Sequence, residues 1–131
     1  MDLDLTGKRV LVTGASKGIG LAIAHAFARE GCDLVIVSRT ATELESSAAS
    51  IESAFGTNVT SIAADLSSEA EVSRVAREAG ACDILINNAG AIPPGALSSL
   101  AMSVWRRAWD LKVFGYMALT HACYEQIAAR K

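Results

Sequence analysis

No basic run occurs anywhere in the 131 residues. Twelve lysines and arginines against 14 aspartates and glutamates leave a formal net charge of -2. Nucleic acid is held through clustered cations, so it is not an expected partner. No apolar run approaches the roughly 20 residues that a membrane-spanning helix needs. Met1-Asp2-Leu3-Asp4 has neither the basic nor the apolar part of a secretory signal, which predicts a cytoplasmic protein with no membrane partner. Cysteines are few and odd in number: Cys32, Cys82 and Cys123, far apart and set among apolar residues. That excludes a disulfide frame, points to no metal site and fits reduced core thiols. Repeats and low-complexity linkers are missing too, so residues 1–131 read as one domain. With 51% hydrophobic and 20% charged residues the chain is globular, with a core of modest size.

Two further absences narrow the glycine chemistry. The chain lacks a Gly-x-Gly-x-x-Gly run, and it lacks a Walker A loop, which needs four residues between its glycines followed by Gly-Lys-Ser/Thr. Thr13-Gly14-Ala15-Ser16-Lys17-Gly18-Ile19-Gly20 stands there instead. It follows the apolar run Arg9-Val10-Leu11-Val12, a buried strand, and opens a helix over about Ile19 to Glu30. Strand, glycine turn and helix together form a phosphate site. Gly14 allows the tight turn, Gly18 leaves room for backbone N–H groups to approach a pyrophosphate, and Gly20 lets helix and strand pack closely. The helix N-terminus presents free N–H donors to the anion. His25, inside this helix with no second ligand near it, reads as packing or surface.

The remaining pattern alternates. Asp33 to Ser38 reads as a strand. A helix follows from a capping box at Thr40 and Glu43 to Gly56. Asn58 to Ala63 is a third strand, and a second capping box, Ser68 and Glu71, opens a helix that Gly80 closes. Asp83 to Asn87 is the fourth strand. Pro93-Pro94-Gly95 then breaks the chain, and one long helix runs from about Ser103 toward the end, with Trp105, Trp109, Val113, Tyr116, Leu119 and Cys123 on one stripe. Apolar residues on its other side imply burial on both faces, and Gly115 implies close packing. Strands alternating with such helices make a three-layer, doubly wound parallel α/β sheet of the Rossmann type. Its spatial order is 3-2-1-4, and the ligand crevice lies between strands 1 and 4.

The end of strand two names the cofactor. An acid there would hydrogen-bond the ribose 2′-hydroxyl of NAD. Ser38-Arg39 stands there instead. Arg39 can make bidentate contacts to a 2′-phosphate, Ser38 adds a hydroxyl, and Lys17 adds a second positive charge. The expected cofactor is NADP(H). The missing acid also argues against S-adenosylmethionine.

The Thr-Gly-x-x-x-Gly-Ile-Gly stretch resembles the cofactor signature of the short-chain dehydrogenase/reductase family. Two further stretches resemble it. Asp65-Leu66 matches the Asp that contacts adenine in that family, and Asn87-Asn88-Ala89-Gly90 matches its Asn-Asn-Ala-Gly motif. The likeness covers nearly all of residues 7–131. It implies cofactor contacts from Gly14, Ser16, Lys17, Gly18, Ile19 and Gly20, from Ser38, Arg39, Asp65 and Leu66, and from Asn88, Ala89 and Gly90.

The resemblance stops short of the chemistry. In the family a Ser, a Tyr-x-x-x-Lys pair and an Asn carry catalysis. Here Tyr116 is followed four residues later by Thr120, and Tyr124 by Ala128. The family Asn aligns with Asp110, which can accept hydrogen bonds but cannot donate as an amide does. The expectation is therefore a truncated domain, the cofactor-binding half of an oxidoreductase acting on a small carbonyl or alcohol, inactive by itself. The alternative is a non-catalytic NADP(H)-binding regulatory or scaffold module. A bare strand-four edge and an under-packed fourth helix predict a homo-oligomer through one or the other.

Overall fold

The computed structural model describes residues 3–130; the Met1-Asp2 pair of the N-terminal reading and Lys131 lie outside them. Four strands form one sheet: β1 (Arg9–Thr13), β2 (Asp33–Ser38), β3 (Val59–Ala63) and β4 (Ile84–Ile86). All pairings are parallel and the order is β3-β2-β1-β4, as the sequence predicts. Helices α1 (Gly18–Arg29), α2 (Ala41–Phe55) and α3 (Glu69–Ala79) fill the connections.

The alternation along each strand divides the core. Val10 and Val12 of β1, with Leu34 and Ile36 of β2, join Ala24, Leu44 and Ile51 of α1 and α2 on one side. Leu11, Val35 and Val37 join Val72, Val75, Leu119 and Cys123 on the other. Successive side chains point to opposite faces, so a continuously apolar strand can serve both layers. Each fully buried Val, Leu or Ile stabilises the fold by about 1.5–3 kcal/mol. The three cysteines are buried free thiols, and burial raises all three. His25 packs edge-on against Phe55, with ring centroids 5.7 Å apart, and so ties α1 to α2.

The two expected capping boxes differ. Ser68 caps α3, its side chain accepting from the Glu71 N–H at 3.5 Å. Thr40 occupies the N-cap of α2, but its side chain makes no cap hydrogen bond. The expected long final helix is not regular. It consists of α4 (Met102–Trp109), a π-helical segment over Asp110–Gly115, and α5 (Tyr116–Ala128). The π segment carries one residue more per turn, so the stripe counted at 3.6 residues does not run through it. Trp109 of the stripe and Phe114, one of the apolar residues on the other side of the helix, are exposed, where burial on both faces was expected. Gly115 is buried, and a Cβ on it would stand 2.5 Å from the Leu66 carbonyl oxygen. Close packing at Gly115 is therefore what the fold requires.

Candidate functional site

The site is built at the carboxyl ends of β2, β1 and β4. Thr13 closes β1 fully buried. Its hydroxyl donates to the Ile86 carbonyl at 3.2 Å and accepts from the N–H groups of Asn88 at 2.9 Å and Ala89 at 3.0 Å. This side chain helps to join the ends of β1 and β4. The sequence offered no sign of the role beyond the position of Thr13 before the glycine turn.

The three glycines do different work. Gly14 turns the chain at φ +68, and a Cβ on it would lie 2.9 Å from both Ala89 Cα and Asn88 Nδ2. At Gly20 a Cβ would overlap the Gly14 carbonyl. Gly18 sits at φ +59 with open space where its Cβ would be. Gly14 and Gly20 thus allow close packing, while Gly18 keeps one side of the turn clear. The Asn88 amide donates to the Thr13 carbonyl at 3.0 Å and the Gly14 carbonyl at 3.3 Å, which fixes the turn from the β4 side. From the α2 side, the Ser47 hydroxyl shares its one proton between the Ser16 carbonyl at 3.0 Å and the Glu43 carbonyl at 2.9 Å. Helix α1 starts with no side-chain cap and no acid in its first turn. Its first N–H groups and the positive end of its dipole are left without a side-chain counterpart.

A cleft of about 320 Å³ runs over these strand ends. Its lining brings together most of the expected residues: Gly14, Ser16, Lys17, Ile19 and Gly20 from the turn, Ser38 and Arg39 from β2, Leu66, and Asn88, Ala89 and Gly90 after β4. It adds residues the sequence did not assign to the site, among them Thr40 and Glu43, read there as a capping box, and Leu111. Arg39 and Lys17 are exposed and make no ion pair among the described residues. Beside Arg39, the Ser38 hydroxyl is buried without a hydrogen-bond partner.

Gly18 and Asp65 are not in the cleft lining. Asp65 is exposed, and its carboxylate accepts from the Ser67 hydroxyl at 2.7 Å and the Ser67 N–H at 3.0 Å. Those two bonds, with a smaller contribution from the charge of Arg39, hold its carboxyl below the usual range. Asp110 also lies outside the cleft. It lines two surface hollows, one with Trp105, Trp109 and Phe114, the other with Leu66 and Gly115.

After β4, Asn87 Nδ2 donates to Thr120 Oγ1 at 2.9 Å, and the Tyr116 hydroxyl donates to the Ala89 carbonyl at 2.6 Å. Burial pushes the Tyr116 phenol above its ordinary pKa. No group of three His, Cys, Asp or Glu with metal-ligating geometry occurs among the described residues. No helix among them is long and apolar enough to cross a membrane.

The comparisons with known proteins agree with this geometry. A family model described as short chain dehydrogenase matches residues 8–131. The chain is 38% identical over 135 residues to a dehydrogenase/reductase SDR family protein 7-like of Anopheles gambiae, covering 97% of this chain and 43% of that protein. Among solved structures it is similar to L-sorbose reductase from Gluconobacter frateurii complexed with NADPH and L-sorbose. The TM-score there is 0.95 at 35% identity, over 99% of this chain and 51% of that one. The Pseudomonas aeruginosa RhlG/NADP active-site complex gives a TM-score of 0.84 at 37% identity, over 92% of this chain and 48% of that one. The chain spans about half the length of the proteins it resembles.

Proposed function

The chain belongs to the short chain dehydrogenase family, and from that premise we propose that it is the NADP(H)-binding portion of an oxidoreductase acting on a carbonyl or alcohol. The observation that carries the cofactor is the end of β2. No acid stands there. An Arg39 guanidinium with no ion pair among the described residues and a buried Ser38 hydroxyl with no hydrogen-bond partner among them do, and they suit a 2′-phosphate. The uncapped start of α1 and the open side of Gly18 suit the pyrophosphate. L-sorbose reductase and RhlG, both similar in fold, were solved with NADPH and NADP respectively.

The nicotinamide, when bound, supplies or accepts the hydride. This chain's residues bind and orient. Gly14, Gly20, Asn88 and Thr13 hold the turn rigid, and Lys17 and Arg39 provide positive charge. Neither tyrosine suits proton transfer. Tyr116 has its hydroxyl engaged with Ala89 and its pKa raised by burial, and Tyr124 has no lysine four residues on. The 131-residue chain is accordingly assigned binding without turnover. Its three buried free thiols suit a reducing cytoplasm.

Titration of the chain with NADPH and NADH tests the reading. NADPH is expected to bind at least about tenfold more tightly, roughly 1.4 kcal/mol. Equal affinities would overturn the 2′-phosphate assignment, and binding of neither would overturn the whole reading. We assign self-association to the outer face of α4 and the π segment, where Trp109 is 55% and Phe114 58% exposed. Sedimentation that stays monomeric into the high micromolar range would contradict it.

A further inference from the structure

We propose that Lys112 holds the nicotinamide-side ribose of the dinucleotide, an inference that rests on the NADP(H) reading above. The sheet order dictates where each part of a bound dinucleotide lies. With the 2′-phosphate at the end of β2 and the pyrophosphate over the start of α1 beside β1, the other half must extend over the end of β4. The chain after β4 supplies Ala89, Gly90 and Ala91 to the cleft, and the π segment supplies Leu111. Lys112 follows Leu111.

Lys112 is exposed and does not itself line the cleft, but its ammonium stands beside a residue that does, Gly90. Lys112 Nζ stands 3.3 Å from where a Cβ on Gly90 would be, and 5.8 Å from the centroid of the Tyr116 ring. The same ring is tethered to the cleft, because the Tyr116 hydroxyl donates to the Ala89 carbonyl. Lys112 makes no ion pair among the described residues. Asp110, two residues earlier, lines hollows outside the cleft. The two charges of the π segment are therefore separated, the acid away from the cleft and the cation beside Gly90. A π turn inside an α-helix is rare and frequently marks a functional site. An ammonium offers three rotatable donors to acceptor oxygens, and ribose hydroxyls are such acceptors. The lack of a side chain at Gly90 leaves the approach clear.

The test uses the 131-residue chain, with Lys112→Met and Lys112→Arg, titrated with NADPH and with 2′,5′-ADP. The second probe keeps the adenosine and its 2′-phosphate and lacks the nicotinamide side. Lys112→Met is expected to weaken NADPH about tenfold, the size of one charge-assisted hydrogen bond, and to leave 2′,5′-ADP unchanged. Lys112→Arg should recover most of the loss. A merely structural lysine would move both probes together, and that outcome, or unchanged NADPH binding, overturns the proposal. An unmutated chain that binds neither probe overturns the NADP(H) reading and the Lys112 assignment with it. One that binds both, with Lys112→Met indifferent, removes only Lys112.

Discussion

The Tyr116 hydroxyl donates to the Ala89 carbonyl oxygen at 2.6 Å, from the first turn of α5 to the loop that follows β4. A carbonyl on the cleft wall is thereby fixed by a helix whose own core residues, Leu119 and Cys123, lie under the sheet. Tyr116→Phe keeps the ring and removes the donor. The expected loss is about 1 kcal/mol of stability, with a few-fold weakening of NADPH through a looser Ala89-Gly90 wall. Melting curves and NADPH titrations read the two effects. A variant unchanged in both would show that the bond does not set the wall.

Gly18 and Gly20 lie two residues apart and should respond differently to alanine. At Gly20 the new Cβ overlaps the Gly14 carbonyl and stands 2.5 Å from Asn88 Nδ2. Gly20→Ala should therefore cost about 1–3 kcal/mol by overpacking and abolish cofactor binding. At Gly18 there is open space, and only the φ of +59 resists. Gly18→Ala should lose about 1–2 kcal/mol from the left-handed backbone. Its larger effect is on NADPH affinity, because the methyl enters the side kept clear. Equal loss of affinity per degree of melting temperature in both variants would erase the distinction.

Acid stability should depend on Asp83. Its carboxylate accepts from Arg130 Nε at 2.7 Å and from the Arg9 N–H at 2.7 Å. The Arg130 bond, chiefly, and the Arg9 N–H hold its pKa below the ordinary carboxylate value. A lowered folded-state pKa gives stability that is present above the unfolded value, about 4, and lost as pH falls through the folded one. Arg130→Met removes the largest cause, so the variant should be slightly less stable than the unmutated chain at neutral pH, and the gap should close as pH falls through the folded pKa. Denaturant unfolding followed by circular dichroism across that pH range decides it, and a gap that does not change with pH would reject the account.

Much of this fold was readable because local and global signals agree. Val10 and Val12 against Leu11, repeated by Leu34 and Ile36 against Val35 and Val37, require two covered faces and hence a parallel sheet. The glycine turn and Ser38-Arg39 follow from backbone geometry and charge, which sequence states directly. What was not readable depends on contacts made across the chain. Thr13 looks like one more strand residue until its hydroxyl meets Ile86, Asn88 and Ala89. Thr40 has the right spacing for a capping box, yet spacing does not orient a hydroxyl. The π segment misled most. An apolar stripe counted at 3.6 residues passes over Asp110–Gly115 without a sign of the extra residue, so it buries Trp109 and gives no reason to prefer Lys112 to Asp110.

Arg39 carries the sharpest remaining prediction, because its environment leaves it one role. It is exposed, it lines the cleft, and no carboxylate pairs with it among the described residues. Its charge adds a small contribution to the lowered pKa of Asp65. Arg39→Met should therefore leave the melting temperature unchanged within the scatter expected of a surface substitution. Its effect should fall on the 2′-phosphate. NADPH affinity should drop about tenfold or more, as expected for a lost bidentate pair to an anion. NADH, which lacks the phosphate, should bind the variant and the unmutated chain alike. The NADPH advantage in the unmutated chain should also shrink as salt is raised, since an exposed pair is screened within about 10 Å at 0.1 M, and the variant should have lost most of that salt dependence. If Arg39→Met weakens NADH as much as NADPH, Arg39 serves the pyrophosphate or the turn instead, and the choice between the two dinucleotides rests on Ser38 and Lys17.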